Sequence, residues 1–144
     1  MKNTEMIDNM IDWAEEQLGS RYYAGLCLAF IEEALEISNS IEIFGGDSAR
    51  ESLEMYRDAL QTGVPERGAF VFYDCLCPGP DGPMNWGHCG ICLGDGNVIH
   101  SWDCIRVDHF RQIESMRTLV GDYPRYRGWV PISRVLAQES DRCE

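Results

Sequence analysis

The chain has 144 residues, the size of one domain with room for a proper core, and 44% of them are hydrophobic. Its 24 acidic residues against 12 basic ones give a net charge of −12, which repels phosphate backbones and anionic bilayers, so nucleic acid is not an expected partner. No apolar stretch approaches the ~20 residues of a membrane span. No secretory signal is visible, so the 7 cysteines read as reduced thiols in a setting that is cytoplasmic by default, with export by a non-signal route or release by lysis as the alternatives, and an odd number leaves at least one unpaired in any intrachain scheme.

The first predicted element is a helix from about Thr4 to Leu18, with Met6, Ile7, Met10, Ile11, Ala14 and Leu18 at helical spacing and Gly19 as its stop. A second helix runs from Leu26 to about Ser38 and is apolar on much of its circumference, which predicts a buried helix. Cys27 lies in its first turn, where unpaired backbone N–H groups and the positive end of the dipole favour a thiolate. The alternative reading of Cys27 is a small core residue.

Gly45-Gly46 breaks the chain, and Ser48 with Glu51 at capping-box spacing opens a third helix expected to end near Gln61. Ala69 to Tyr73 has no polar alternation and reads as a central strand. Cys75 to Asn85, rich in Gly and Pro, reads as a loop.

Two apolar runs then flank Gly94-Asp95-Gly96 and form a predicted β-hairpin that carries His88 and His100. A two-residue loop at Asp95-Gly96 puts the histidines on opposite faces. A three-residue loop with Leu93 opposite Asn97, or an equivalent bulge, places His100 across from Gly90 on the face of His88. Diagonal neighbours sit about 7 to 8 Å apart at the backbone, so two imidazoles can meet over the small Gly90. Beyond the hairpin come a short strand at Ile105-Arg106-Val107, a short helix from His109 to Met116, a last strand at Tyr126 to Val130, and a helical tail opened by Pro131. Helices first and strands later predict a single α+β domain over residues 1–144, with N-terminal helices packed on a central antiparallel sheet.

A thiol at a helix N-terminus and two histidines on a strand face are the parts of a cysteine nucleophile system: one imidazole takes the thiol proton and a second polar group orients it. The hairpin, from Gly87 to His100, resembles the His-Val-Gly-Ile-Tyr-Leu-Gly-Asp-Gly-x-x-Ile-His segment of the NlpC/P60 cysteine peptidases, papain-like enzymes that cut bacterial cell-wall peptides. Leu18 to Gly25 resembles that family's Leu-Gly-x-Pro-Tyr-x-x-Gly, and Arg67 to Phe72 sits where the family has Pro-Gly-Asp-Leu-Val-Phe. The resemblance covers about residues 14 to 102 and implies a papain-like fold, Cys27 as nucleophile, His88 as base and acid, His100 as the orienting third residue and Tyr22 on the substrate and oxyanion side. It also implies a peptidoglycan fragment or related small peptide as substrate and no metal or organic cofactor. The sequence departs from the family at Leu26-Cys27-Leu28-Ala29, which stands for Asp-Cys-Ser-Gly, and lacks the Gly-rich insert before the cysteine.

An acyl transferase would use the same three residues, and a binding or immunity module on a decayed peptidase fold is the alternative from another class. A zinc site at Cys75, Cys77, Cys89, Cys92 and Cys104 is disfavoured, because Cys89 and Cys92 lie three apart in a strand pattern and so point to opposite faces. Cys75, Cys77, Cys104 and Cys143 carry no role, His109 reads as solvated, and Trp102 has the parity to share the histidine face as cleft wall or core.

Overall fold

The computed structural model describes residues 2–137. Helix α1 (Asn3–Glu16) buries Met6, Met10, Ile11 and Ala14 against α2 (Cys27–Asn39), which buries Leu28, Phe30, Ile31, Ala34 and Leu35. Asn39 is buried between the two helices and fully engaged: its amide donates to the Met6 and Leu35 carbonyls at 3.1 Å, and its oxygen accepts from Asn9 at 3.0 Å. Helix α3 (Ala49–Met55) starts at Ser48, whose hydroxyl accepts the Glu51 N–H at 3.2 Å, while the Glu51 carboxylate accepts the Asp47 N–H at 2.7 Å. It ends before the expected Gln61, in a 3₁₀ turn at Arg57–Ala59. The reason is tertiary: the Gln61 backbone exchanges hydrogen bonds of 2.8 and 2.9 Å with Trp129 and joins the sheet edge instead of continuing a helix.

Strand β1 (Phe70–Asp74) leads into a separate two-stranded ribbon, β2 (Leu76–Gly79) with β3 (Gly82–Asn85), where a loop was expected. Pro78 faces Pro83 in this ribbon, a tolerated arrangement because neither strand joins a further partner in the sheet. The main sheet continues with β4 (His88–Gly94), β5 (Asn97–Ser101), β6 (Ile105–His109) and β7 (Arg125–Val130), in the order β6-β5-β4-β1-β7 with antiparallel pairing throughout. His109 pairs with Asn97 and ends β6, so the helix expected from His109 to Met116 shrinks to a 3₁₀ turn at Gln112–Ser115. The last helix, α4 (Ile132–Leu136), follows Pro131 as N-cap.

The sheet has two packed faces. Phe70, Phe72, Cys89, Ile91, Ile99, Ile105 and Val130 meet the three N-terminal helices, and Val71, Tyr73, Cys92, Val98, Phe110 and Ile113 form a second layer opposite. Cys89 and Cys92 therefore do lie on opposite faces.

The β4–β5 turn decides where the histidines go. Asp95 and Gly96 both have positive φ (54° and 77°), a two-residue turn rather than the three-residue loop with Leu93 opposite Asn97. Gly94 faces Asn97, and the register slips between Cys92 and Gly94, so Leu93 is the extra residue of a bulge. That bulge restores the parity a bare two-residue turn would lose. Ile91 pairs with Ile99, and His100 falls across from Gly90, where an added Cβ would stand only 2.9 Å from the His100 Cβ.

Candidate active site

Cys27 is placed by a loop tied down at several points. Gly19, at φ 85°, ends the first helical run, and its N–H reaches the Ile105 carbonyl at 2.9 Å while the Ile105 N–H reaches the Ser20 carbonyl at 2.9 Å. The Ser101 hydroxyl donates to the Tyr23 carbonyl, and the Tyr23 hydroxyl donates to Glu33 on α2 at 2.7 Å. The chain between α1 and α2 is thus fastened both to the end of β5 and to the helix it feeds. Cys27 is the first residue of α2, and the first N–H to bond back is that of Phe30, to the Leu26 carbonyl at 3.1 Å. The N–H groups of Cys27, Leu28 and Ala29 precede any intrahelical acceptor.

His88 opens β4, opposite Tyr73, so its ring belongs to the second face of the sheet but stands at its margin. There it meets the Cys27 thiol, which also contacts the Cys89 thiol and the Cys89 N–H. The Cys89 side chain is the largest influence holding Cys27 well below the usual thiol range against its own burial, and the His88 ring adds to it. Burial and the adjacent Cys27 push Cys89 well up, so Cys89 remains a neutral S–H donor.

A chain of short polar contacts runs away from Cys27. His88 Nε2 lies 2.8 Å from His100 Nδ1, and His100 Nε2 lies 2.8 Å from Asp108 Oδ2. Arg106 closes the chain, its Nε 2.8 Å from Asp108 Oδ2 and its Nη2 3.2 Å from Oδ1. His100 has no solvent exposure, and burial pushes it down to about 4 although the Asp108 hydrogen bond pulls the other way. The hydrogen bond from His100 is the largest influence lowering Asp108 to about 2. Trp102 stands edge-on to His88 at 5.1 Å between centroids.

Of these groups, Cys27, His88 and Trp102 line a cleft of ≈ 950 Å³ whose walls also include Leu26, Leu28, Trp86, Cys75 and Cys77. The β2–β3 side of the cleft is pinned by Asn85, which accepts the Cys75 and Gly87 N–H groups at 2.9 and 3.0 Å and donates to Asp74 at 3.0 Å. Cys75 and Cys77 approach to 3.8 Å between sulfurs, and burial pushes both thiols up.

No protein-family model matches the sequence, and no curated protein matches it. Among solved structures, a protein from Staphylococcus aureus described as similar to a lipoprotein of the NLP/P60 family aligns with a TM-score of 0.60 at 16% identity, over 91% of this chain and 42% of that one. The fold is that of the NlpC/P60 proteins. The chain spans less than half the length of the staphylococcal protein. RipD of Mycobacterium tuberculosis, described as a non-catalytic NlpC/p60 domain protein adapted to peptidoglycan binding, aligns with a TM-score of 0.48 at 16% identity over 85% of this chain and 96% of its own.

Within this NlpC/P60 fold, Cys27, His88 and His100 come together. Tyr22 does not line the cleft: the residue is 78% exposed and its ring stands edge-on to Tyr23 at 4.9 Å, while Ala24, Gly25 and Leu26 take the cleft wall. Three groups near the site were not read as such from sequence. Asp108 lies in β6 on the face of His100, where a strand ending at Val107 left it out, and its signal was the alternation of Arg106 and Asp108 beside a histidine-bearing strand. Cys89 reaches Cys27 from the opposite face to His88, and Cys75 with Cys77 reaches the cleft through a ribbon that Gly and Pro content disguised as a loop. His109 is exposed, as expected of a solvated residue, and Cys143 lies outside the described residues.

Proposed function

We propose that the chain is a cysteine hydrolase that cuts an amide bond in bacterial cell-wall stem peptides or a related small peptide. One observation carries this reading: Cys27, at the N-terminus of α2, meets His88, whose Nε2 is 2.8 Å from His100. The Cys27 thiolate attacks the scissile carbonyl carbon, and the oxyanion that forms takes hydrogen bonds from backbone N–H groups of the first turn of α2. His88, protonated by the thiol, gives that proton to the leaving amine as the C–N bond breaks. Water then loses a proton to His88 as it attacks the thioester, releasing the carboxylic acid and Cys27. His100 orients the His88 ring throughout.

Leu26 and Leu28 make the shoulders of the nucleophile apolar. The test is incubation of the wild type and Cys27→Ala with a panel of muropeptides, read by mass spectrometry. Fragments that appear with the wild type and not with Cys27→Ala support the reading. Muropeptides that bind to the wild type and stay intact support a binding module on the same fold and contradict a cell-wall hydrolase.

A further inference from the structure

We propose that Asp108 is a positioning residue of this site, fixing the tautomer of His100 and, through it, committing Nε2 of His88 as a donor so that Nδ1 is the nitrogen that exchanges a proton with Cys27. The inference rests on the hydrolase reading above for its consequence, but its content is a proton arrangement that can be observed by itself.

The arrangement follows from counting donors. Arg106 is a donor only, and it places Nε and Nη2 on the two Asp108 oxygens, so Asp108 is held as a pure acceptor. His100 Nε2, 2.8 Å from Asp108 Oδ2, must then carry the proton of that contact. His100 is buried and neutral, so with a proton on Nε2 its Nδ1 has only a lone pair. The partner of that lone pair is His88 Nε2 at 2.8 Å, which must donate. One ring nitrogen of His88 is thereby committed as N–H, and Nδ1 is left to exchange a proton with Cys27. Reversal at any point sets two donors or two lone pairs face to face in a dry site.

The strands supply the geometry without a special loop. His100 pairs with Arg106 and Val98 with Asp108 across β5 and β6, so Asp108 is the diagonal neighbour of His100 on the same face. Arg106 is two residues from Asp108 on that face and meets it side by side. Asp108 has a side chain only 18% exposed, which shields these bonds from water more than a surface ion pair would be.

The chain has 3 histidines, so labelling with ¹⁵N-histidine and long-range ¹H–¹⁵N correlation resolves the tautomer of each ring. In the wild type at pH 7 the expected result is His100 protonated on Nε2 and not on Nδ1. A His100 protonated on Nδ1 overturns the proposal, and this reading needs no variant. Asp108→Ala is expected to lose the single tautomer and to slow iodoacetamide alkylation of Cys27 at pH 6 by about tenfold or more, the size of effect that removing an orienting partner commonly has. Asp108→Asn keeps an oxygen for both His100 and the Arg106 Nε, so it is expected to restore the Nε2–H tautomer and most of the reactivity. A folded Asp108→Ala with wild-type tautomer and wild-type alkylation overturns the proposal. A His100 protonated on Nε2 beside a Cys27 that is unreactive at pH 6 supports the proton arrangement and contradicts the hydrolase reading, so the two fail separately.

Discussion

Gly90→Ala adds one methyl group at the point where the two histidine-bearing strands are closest. An ideal Cβ there would stand 2.4 Å from Val98 Cγ1, 2.9 Å from the His100 Cβ and 2.9 Å from the Ile99 carbonyl oxygen. Ordinary carbon contacts lie at about 3.5 to 4.0 Å, so the nearest atom is more than 1 Å too close. None of the three has an easy retreat. Val98 is a stiff β-branched side chain with no exposure, and the Ile99 oxygen and His100 Cβ are fixed by the β5 backbone. Gly90 does not have positive φ, so alanine brings no dihedral strain and the cost is steric. Overpacking of this kind costs about 1 to 3 kcal/mol, and the absence of a flexible neighbour puts this case near the upper end. For a domain of this length that is a fall in Tm of roughly 10 °C. Relief of the clash moves β5 away from β4, so the His88–His100 contact lengthens and Cys27 alkylation at pH 6 slows in parallel. Gly63→Ala is the comparison: with φ 84° and nothing within 4 Å, it strains the backbone outside the cleft lining, lowering Tm while Cys27 reactivity stays as in the wild type. A Gly90→Ala chain that melts within a degree or two of the wild type and alkylates normally refutes the argument that this glycine makes room for the histidine pair.

Two ionisable groups, the buried His100 and the half-buried Glu32, give the stability curve opposing slopes. His100, lowered to about 4 by burial from a free value of 6.5, favours folding fully above pH 6.5 and loses that stability as pH falls toward 4, by ~3 kcal/mol at most. Glu32 is raised to about 7 by burial and then by the Glu36 and Glu33 carboxylates, so its contribution is full below pH 4.5 and is lost as pH rises through 7. Urea unfolding is expected to show Glu32→Gln matching the wild type at pH 4 and exceeding it by about 1 to 2 kcal/mol at pH 8, since water screens the exposed part of the carboxylate; equal stability of the two at pH 8 contradicts the burial of that charge. Asn85→Ala removes the acceptor of two backbone N–H groups beside the cleft and is expected to cost about 1 to 3 kcal/mol by the same unfolding measurement, with a cost below 0.5 kcal/mol counting against its role as the clamp of that ribbon.

The helices were legible because their apolar spacing is a local property, and so was the cap at Ser48. Cys27 at a helix start followed from the same periodicity. The histidine parity was legible only as a choice between turns, because the bulge at Leu93 is decided by what the faces of β4 must bury and leaves no residue signature beyond its glycines. The elements that were missed all depend on distant partners. Gln61 leaves its helix for Trp129, His109 leaves its helix for Asn97, and Leu76 to Asn85 forms a ribbon through pairing across two prolines. Asp108 and Cys89 were missed for a related reason: what makes them part of the site is a third element packed against their strand, invisible to spacing along it. Tyr22, placed at the site by resemblance, turns outward while Leu26 takes the cleft wall.

The central claim is that Cys27 is held as a thiolate by its neighbours, and the pH dependence of its alkylation tests this most directly. With iodoacetamide and mass-spectrometric assignment of each cysteine, Cys27 is expected to react at pH 6, well below the free-thiol pKa of about 8.5, while Cys75, Cys77 and Cys89, all pushed up by burial, stay unmodified. His88→Ala is expected to shift the Cys27 profile upward. A Cys27 that reacts only as pH approaches 9, with the same profile as the other thiols and no response to His88→Ala, contradicts the account.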